Sequence, residues 1–306
     1  MEGSINGTVQ SHQMEGVPRY SGSGAANDMR VGDTVSSRAV KLLVRARSRI
    51  RRGIANRTGL NLSRLALRER FETRFLKYII RNRIRLVPER ELENTYRDAL
   101  LLLSKTRPPH QIGDYLEFGV YNGSSLVCMF RALDYLHIEQ VRLFGFDSFQ
   151  GLPRDALPGD EGTWLGGEFS SSQEFAQAVL THEAVDLDRV WLVKGWFDEI
   201  LTDRFKAKHE LKKAGLIMID CDIYSSAKEA LRFCAPLIKD EAVVVFDDWG
   251  SGNLAERDLG EKRAFDEFLR DNPDLMAERL PDLRYTEASE VFLVKRTRHE
   301  DGAEAS

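Results

Sequence analysis

Tyr115-Leu-Glu117-Phe-Gly119-Val120-Tyr121-Asn-Gly123-Ser124-Ser125 is the stretch on which the reading of this chain turns. Residues 115–120 form a short apolar run with strand character, and 124–136 carry apolar residues at helical spacing. Both glycines therefore fall where a strand gives way to a helix that Ser124 or Ser125 could cap. Glycines at such a turn let a ligand come close to the backbone. A dinucleotide fingerprint would place its second glycine two positions after the first; Tyr121 stands there and would obstruct a pyrophosphate, which disfavours a nicotinamide dehydrogenase. Glu117, two residues before Gly119, offers instead an anionic partner for a cationic amino group, such as the methionine end of S-adenosylmethionine. A strand-to-helix turn that merely needs glycine is the plainer alternative.

Outward from this turn the same alternation continues. Strands are predicted at 141–146, 190–193, 216–219, 242–246, 284–288 and 291–295, with helices at 173–181, 226–237 and 261–269. Strands separated by helices imply an α/β fold around a mostly parallel sheet, beginning near Gly113. Only Ser289 and Glu290 separate the last two runs, so an antiparallel hairpin is expected at the sheet's end. No internal repeat is visible.

Two further motifs fall at predicted strand ends. Asp147 sits in Gly145-Phe-Asp147-Ser148-Phe149-Gln-Gly151-Leu-Pro153, 28 residues after Gly119. That is the place for a carboxylate that accepts both ribose hydroxyls, although a helix-capping aspartate would look the same. Ligands of an open parallel sheet lie across the carboxyl ends of the strands at the switch point, so Glu117 and Asp147 are expected to face one crevice. Trp164, Trp191 or Trp196 could cover an adenine there, and each could equally be a core aromatic. The second motif is a set of acids: Ile217-Met-Ile-Asp220-Cys-Asp222 and Val243-Val-Val-Phe-Asp247-Asp248-Trp249. Carboxylates brought together repel unless a cation lies among them or some are protonated. Oxygen ligands without His or Cys favour magnesium, or calcium or manganese, over zinc. Because residues two apart on an extended segment point the same way, either Asp220 or Asp222, or both, could be ligands. Helix-capping aspartates after two strands are the alternative reading.

Taken together, Glu-x-Gly with a further glycine four on, Gly-Phe-Asp-Ser-Phe-x-Gly-Leu-Pro, Asp220-x-Asp222-x-Tyr224-Ser225 and Asp247-Asp248-Trp249 resemble the macrocin O-methyltransferase type of class I methyltransferase over residues 113–296. The resemblance implies a Rossmann-like class I fold with a seven-stranded, mostly parallel sheet and an antiparallel last strand. It implies an S-adenosylmethionine- and magnesium-dependent O-methyltransferase acting on a hydroxyl of a sugar or glycosylated natural product. By position it makes Asp220, Asp247 and Asp248 the metal ligands and Asp222 the base. Glu117, Gly119, Tyr121, Gly123, Ser124, Ser125, Asp147 and Ser148 become the cofactor-binding candidates. Where the family often has glycine, this chain has Ser124 and Cys221.

The rest of the chain sets the organisation. Its 306 residues, 42% hydrophobic and 30% charged, suffice for one full core. No apolar run approaches the roughly 20 residues that cross a bilayer. Cys128, Cys221 and Cys234 are widely spaced in apolar contexts, which fits a reducing, cytoplasmic setting better than a disulfide or zinc framework. Residues 1–36 and 299–306 read as disordered tails, 37–110 as a basic helical extension that caps the acceptor or meets another subunit, and 111–298 as the catalytic domain. Residues 38–85 carry 16 Lys and Arg against Glu69 and Glu72, net +14; residues 1–37 are net −2, which leaves −16 on 86–306. A polyanion should therefore meet the arm and be repelled by the body. The arm could touch an anionic membrane surface, with nucleic acid disfavoured, or pack on the body or on a second subunit of a homo-oligomer. Apolar residues near helical spacing predict two basic amphipathic stretches in the arm, at Val40, Leu43, Val44, Ile50 and Ile54 and at Leu65, Phe71, Phe75 and Ile79, and a third helix from Leu92, Tyr96, Leu100 and Leu103, entered at Pro88. Two rival functions remain: a metal-dependent nucleotide-sugar glycosyltransferase using Asp220-x-Asp222, and a non-catalytic adaptor that docks on a polyanion through the arm.

Overall fold

The computed structural model of this protein describes residues 87–153 and 160–297. The predicted tails and the two basic stretches within 38–85 lie outside the described residues. In chain order the elements are α1 (Glu89–Ser104), β1 (Asp114–Phe118), α2 (Ser124–Tyr135), β2 (Leu143–Asp147), α3 (Gln173–His182), β3 (Val190–Lys194), α4 (Phe197–Ile200), α5 (Asp203–Lys208), β4 (Ala214–Ile219), α6 (Tyr224–Cys234), β5 (Glu241–Phe246), α7 (Gly260–Asp271), β6 (Leu275–Arg279) and β7 (Glu290–Arg296).

The strands form one sheet in the order β3-β2-β1-β4-β5-β7-β6. β1 to β5 pair in parallel, whereas β7 runs antiparallel to both β5 and β6. Six strands thus point one way and the last opposes them. The winding reverses at β1, which pairs with β2 on one side and β4 on the other, so the crevice for a ligand opens at the carboxyl ends of these strands.

β1, β4 and β5 are buried along their whole length because helices cover both faces. Their side chains alternate between two cores. Tyr115, Met218, Val243 and Val245 face a cluster that includes Leu126 and Met129 of α2 and Leu92, Tyr96 and Leu100 of α1. Leu116, Phe118, Ile217, Ile219, Val244 and Phe246 face Leu231 of α6 and Phe265 of α7. α1 buries Leu92, Tyr96, Ala99, Leu100 and Leu103, an apolar stripe at helical spacing, and Pro88 precedes its first turn, where a missing N–H costs nothing.

The terminal pairing differs from the sequence reading. The strand expected at 284–288 is absent; β7 pairs with residues 275–279. β6 is an edge strand with only Leu275 fully buried, so it carries no alternating apolar signal. Residues 284–289 instead form a tight turn around Ser289, whose Oγ accepts from Tyr285 N and Thr286 N while its own N–H donates to Thr286 Oγ1. No helix among the described residues is long and apolar enough to cross a membrane.

Candidate active site

Backbone ladders carry the chain past the strand ends and fix where the acids emerge. Gly119 N donates to Phe146 O, Asp220 N to Phe118 O, Asp247 N to Ile219 O and Gly195 N to Asp147 O, at 2.8–3.0 Å. Together they floor one cleft of about 990 Å³, open mouth included. Gly119, Tyr121, Ser124, Ser125, Asp147, Ser148, Asp220, Asp222 and Asp247 line it. Gly123, Glu117 and Asp248 do not.

Gly119 is dictated first by the protein itself. It has φ +95°, and a Cβ there would fall 1.7 Å from the Asp220 carbonyl oxygen, so β1 and β4 can converge only on glycine. Gly123, at φ +82°, begins α2. Neither Ser124 nor Ser125 caps this helix: Asn122 Oδ1 accepts from Ser124 N and from Ser124 Oγ, because its position two residues ahead suits an Asx turn.

Asp147 organises the loops above the sheet. Its Oδ2 accepts from Val120 N and Tyr121 N at 2.8 Å each, and Oδ1 accepts from Phe149 N at 2.6 Å. Tyr121 and Phe149 both have φ near +50°, a conformation costing roughly 1–2 kcal/mol per non-glycine residue. The Asp147 carboxylate holds both in place. A carboxylate has about four acceptor sites, so capacity for a ligand hydroxyl remains. Burial pushes its pKa up against these three donors. Ser148 Oγ donates to Gly151 O.

Glu117 lies at the centre of the sheet, opposite Gly145 and Met218, with no exposed surface. Tyr115 OH donates to its Oε2 at 2.6 Å, whereas Oε1 has no hydrogen-bond partner at ordinary distance. Burial drives its pKa from 4.5 to about 8, opposed by the nearby Ser125 and Tyr115 hydroxyls and reinforced by Asp147. A desolvated carboxylate oxygen beneath a cleft is suited by its charge to a cation.

Asp220, Asp247 and Asp248 bring carboxylate oxygens within 4.8 Å of one another. Asp222 is not in that group. β4 ends at Ile219, Ile223 N turns back to Cys221 O, and Asp222 takes φ +65°, so the segment is not extended and residues 220 and 222 do not share a direction. Tyr285 OH donates to Asp247 Oδ1, Ser251 Oγ donates to Asp248 Oδ1, and Asp248 N donates to Glu261 Oε2. An all-oxygen trio of this kind fits a hard divalent cation.

Of the three tryptophans considered as adenine covers, only Trp196 lines the cleft. Trp164 is buried with Leu152 and Ile223, and Trp191 stacks on Phe144. The sequence reading passed over Asn122, Leu152, Phe169 and Ser226, which line the cleft, and Tyr285 and Asp160, which support it. Asx-turn spacing could have revealed Asn122; nothing local marks the long-range contacts of Tyr285 and Asp160.

The family described as Macrocin-O-methyltransferase (TylF) matches residues 104–270, more than half of the chain. Two curated relatives come from Streptomyces. An 8-demethyl-8-(2,3-dimethoxy-alpha-L-rhamnosyl)-tetracenomycin-C 4'-O-methyltransferase of Streptomyces olivaceus is 28% identical over 144 residues, 45% of this chain and 53% of that protein. A demethyldecarbamoylnovobiocin O-methyltransferase of Streptomyces niveus is 25% identical with the same coverage. The chain thus spans about half the length of the curated relatives it matches. Among solved structures, the O-methyltransferase NovP superposes with a TM-score of 0.55 at 22% identity, covering 70% of this chain and 81% of that one. CalS11, a calicheamicin methyltransferase, gives 0.51 at 20% identity, covering 90% and 99%. The fold is shared with these methyltransferases.

Proposed function

The chain belongs to the macrocin-O-methyltransferase family, and from that premise we propose that it transfers the methyl group of S-adenosylmethionine to a hydroxyl of a sugar or glycosylated natural product, with magnesium held by Asp220, Asp247 and Asp248. One observation carries the reading: Glu117, a buried carboxylate on β1 with one oxygen that makes no hydrogen bond at ordinary distance, lies beneath a crevice whose neighbouring strands β4 and β5 are followed by an acid trio. A nucleotide-sugar glycosyltransferase would account for the trio but not for Glu117. The basic arm on which a polyanion-binding adaptor would depend lies outside the described residues.

S-adenosylmethionine supplies an electrophilic methyl group, and the divalent cation, when bound, supplies Lewis acidity toward the acceptor. The residues of the chain have the remaining tasks. Glu117 receives the ammonium group, the Asp147-held loops at Tyr121 and Phe149 frame the nucleoside, and Trp196 is the aromatic at hand for the adenine. Asp222, on the cleft wall beside the trio, takes the acceptor's proton as the C–S bond breaks and the O–C bond forms, leaving S-adenosylhomocysteine. Alignment of the acceptor by the cleft contributes the entropic part of the acceleration.

Thermal unfolding with S-adenosylhomocysteine, with and without magnesium, tests the proposal. At about 100 times its dissociation constant the product should stabilise the chain by roughly 2.7 kcal/mol. Magnesium should add a further rise that Asp247→Asn abolishes. A rise with a nucleoside diphosphate and metal, and none with S-adenosylhomocysteine, would turn the assignment to glycosyl transfer.

A further inference from the structure

Glu117 is reached by a hydrogen-bond chain that begins outside the 104–270 span matched by the family. Tyr115 and Glu117 lie two apart on β1, so both side chains leave the strand on one face. Tyr96 comes from α1. Both tyrosines are fully buried, their rings meet edge to face at 5.7 Å, and their hydroxyl oxygens are 2.9 Å apart. Tyr115 OH then donates to Glu117 Oε2 at 2.6 Å.

Proton counting fixes the direction of this chain in the cofactor-bound form, in which Glu117 is ionised against the ammonium group. An ionised carboxylate only accepts, and each phenol has one proton to give. With Tyr115 donating to Glu117, Tyr96 must donate to Tyr115. The chain runs one way and ends on a single oxygen, leaving Oε1 without a hydrogen bond. Packing does not account for the two hydroxyls: both rings belong to the apolar cluster that includes Leu92, Leu126 and Met129, which phenylalanine would fill as well. A buried hydroxyl is costly unless it is bonded, and the bonds these two make lead to Glu117.

We infer that Tyr96 and Tyr115 are positioning residues for the amino-acid end of the cofactor, fixing one oxygen of Glu117 so that the other is held for an ammonium group. The inference rests on the reading of Glu117 as the cofactor's receptor. Successive donation polarises each hydroxyl in turn, so Tyr96 acts on the carboxylate through Tyr115. A helix that precedes the matched region thereby contributes to cofactor affinity without touching the cofactor.

Calorimetric titration of the full chain with S-adenosylhomocysteine and with 5′-methylthioadenosine, which lacks the amino-acid end, tests this. Tyr115→Phe should weaken S-adenosylhomocysteine by about tenfold, the effect of a hydrogen bond to a charged group, and Tyr96→Phe by about threefold, that of a neutral one. Methylthioadenosine should stay within about twofold of wild type in both, on the same energy scale. Equal losses for both ligands would reduce the tyrosines to general structural support and overturn the inference, as would unchanged affinity in both variants. Should one variant fail to fold, the other carries the comparison. Glu117→Gln separates the two levels: if it weakens S-adenosylhomocysteine while the phenylalanine variants do not, only the chain fails. If it changes nothing, the receptor reading fails and the inference with it.

Discussion

At the scale of single residues, the acids of the cleft divide by what they already hold. Asp147 is occupied by three backbone amides and keeps two left-handed residues in place. Asp220, Asp247 and Asp248 meet one another. Asp222 stands apart on the wall, turned by its positive φ away from the direction an extended chain would give it. Under the proposed function this division would separate metal holding from proton transfer, which the motif Asp220-x-Asp222 leaves ambiguous. Asp222→Asn keeps size and polarity but cannot take a proton. Methyl transfer to a sugar acceptor should fall by about 10² to 10⁴, the usual contribution of a general base, while the affinity for S-adenosylhomocysteine, measured by calorimetry, should not change. A variant with full turnover would remove Asp222 from the proton path and leave Asp147 or solvent to serve.

At the scale of elements, what the sequence discloses tracks how local the determining forces are. β1, β2, β4, β5, α2, α3, α6 and α7 follow apolar patterns that are visible in the chain, because each buries a continuous face, and β3 shows the same apolar run although it is only half-buried. β6 escapes that reading because an edge strand needs only one buried side chain. The run Arg284-Tyr285-Thr286 looks like a strand from its β-prone residues, but the Ser289 turn and the bond from Tyr285 to Asp247 claim it. Most of the site's acids are legible because they follow strands. Their supports are not, since Tyr285 reaches 38 residues back and Asp160 reaches 64 ahead. Asp160 replaces a local cap for α6: both its oxygens accept from Tyr224 N at 3.1 Å, where Ile223, the residue before the helix, has no side-chain acceptor to offer. Asp160→Ala should cost about 1 kcal/mol, the usual value of a helix cap, in urea unfolding, and Asp160→Asn, which keeps an acceptor, distinctly less. Equal costs would show that volume, not capping, is what Asp160 provides.

At the scale of the whole molecule, the buried acids make stability depend on pH in an unusual direction. A carboxyl whose pKa is higher in the folded than in the unfolded chain favours folding below its unfolded value, and that contribution is lost as pH rises through the folded value. Glu117, moved by burial from 4.5 to about 8, and Asp160, moved by burial from 3.8 to about 6, both act this way. Glu267 acts in the opposite sense: hydrogen bonds from Lys228 and Tyr224 hold it near 2, so its contribution is present above 4.5 and lost as pH falls through 2. The ligand-free chain should therefore be most stable at about pH 4 to 4.5, where the contribution of Glu267 has risen and those of Asp160 and Glu117 have only begun to fall. Its unfolding midpoint should decline steeply up to about pH 6, where Asp160 and Glu117 both resist ionisation, and then more slowly to about pH 8, where Glu117 alone does. Glu117→Gln has no charge to bury and should flatten that decline. A bound ammonium group reverses the balance, since it pairs with the ionised form, so the stabilisation by S-adenosylhomocysteine should grow with pH up to about 8, the folded value for Glu117. Binding at pH 7 should then release a proton, detectable as a binding enthalpy that varies with the ionisation enthalpy of the buffer. A midpoint that is level from pH 6 to 8 and the same in Glu117→Gln would mean that water reaches Glu117 in solution. The cation receptor would then have to be sought elsewhere in the cleft.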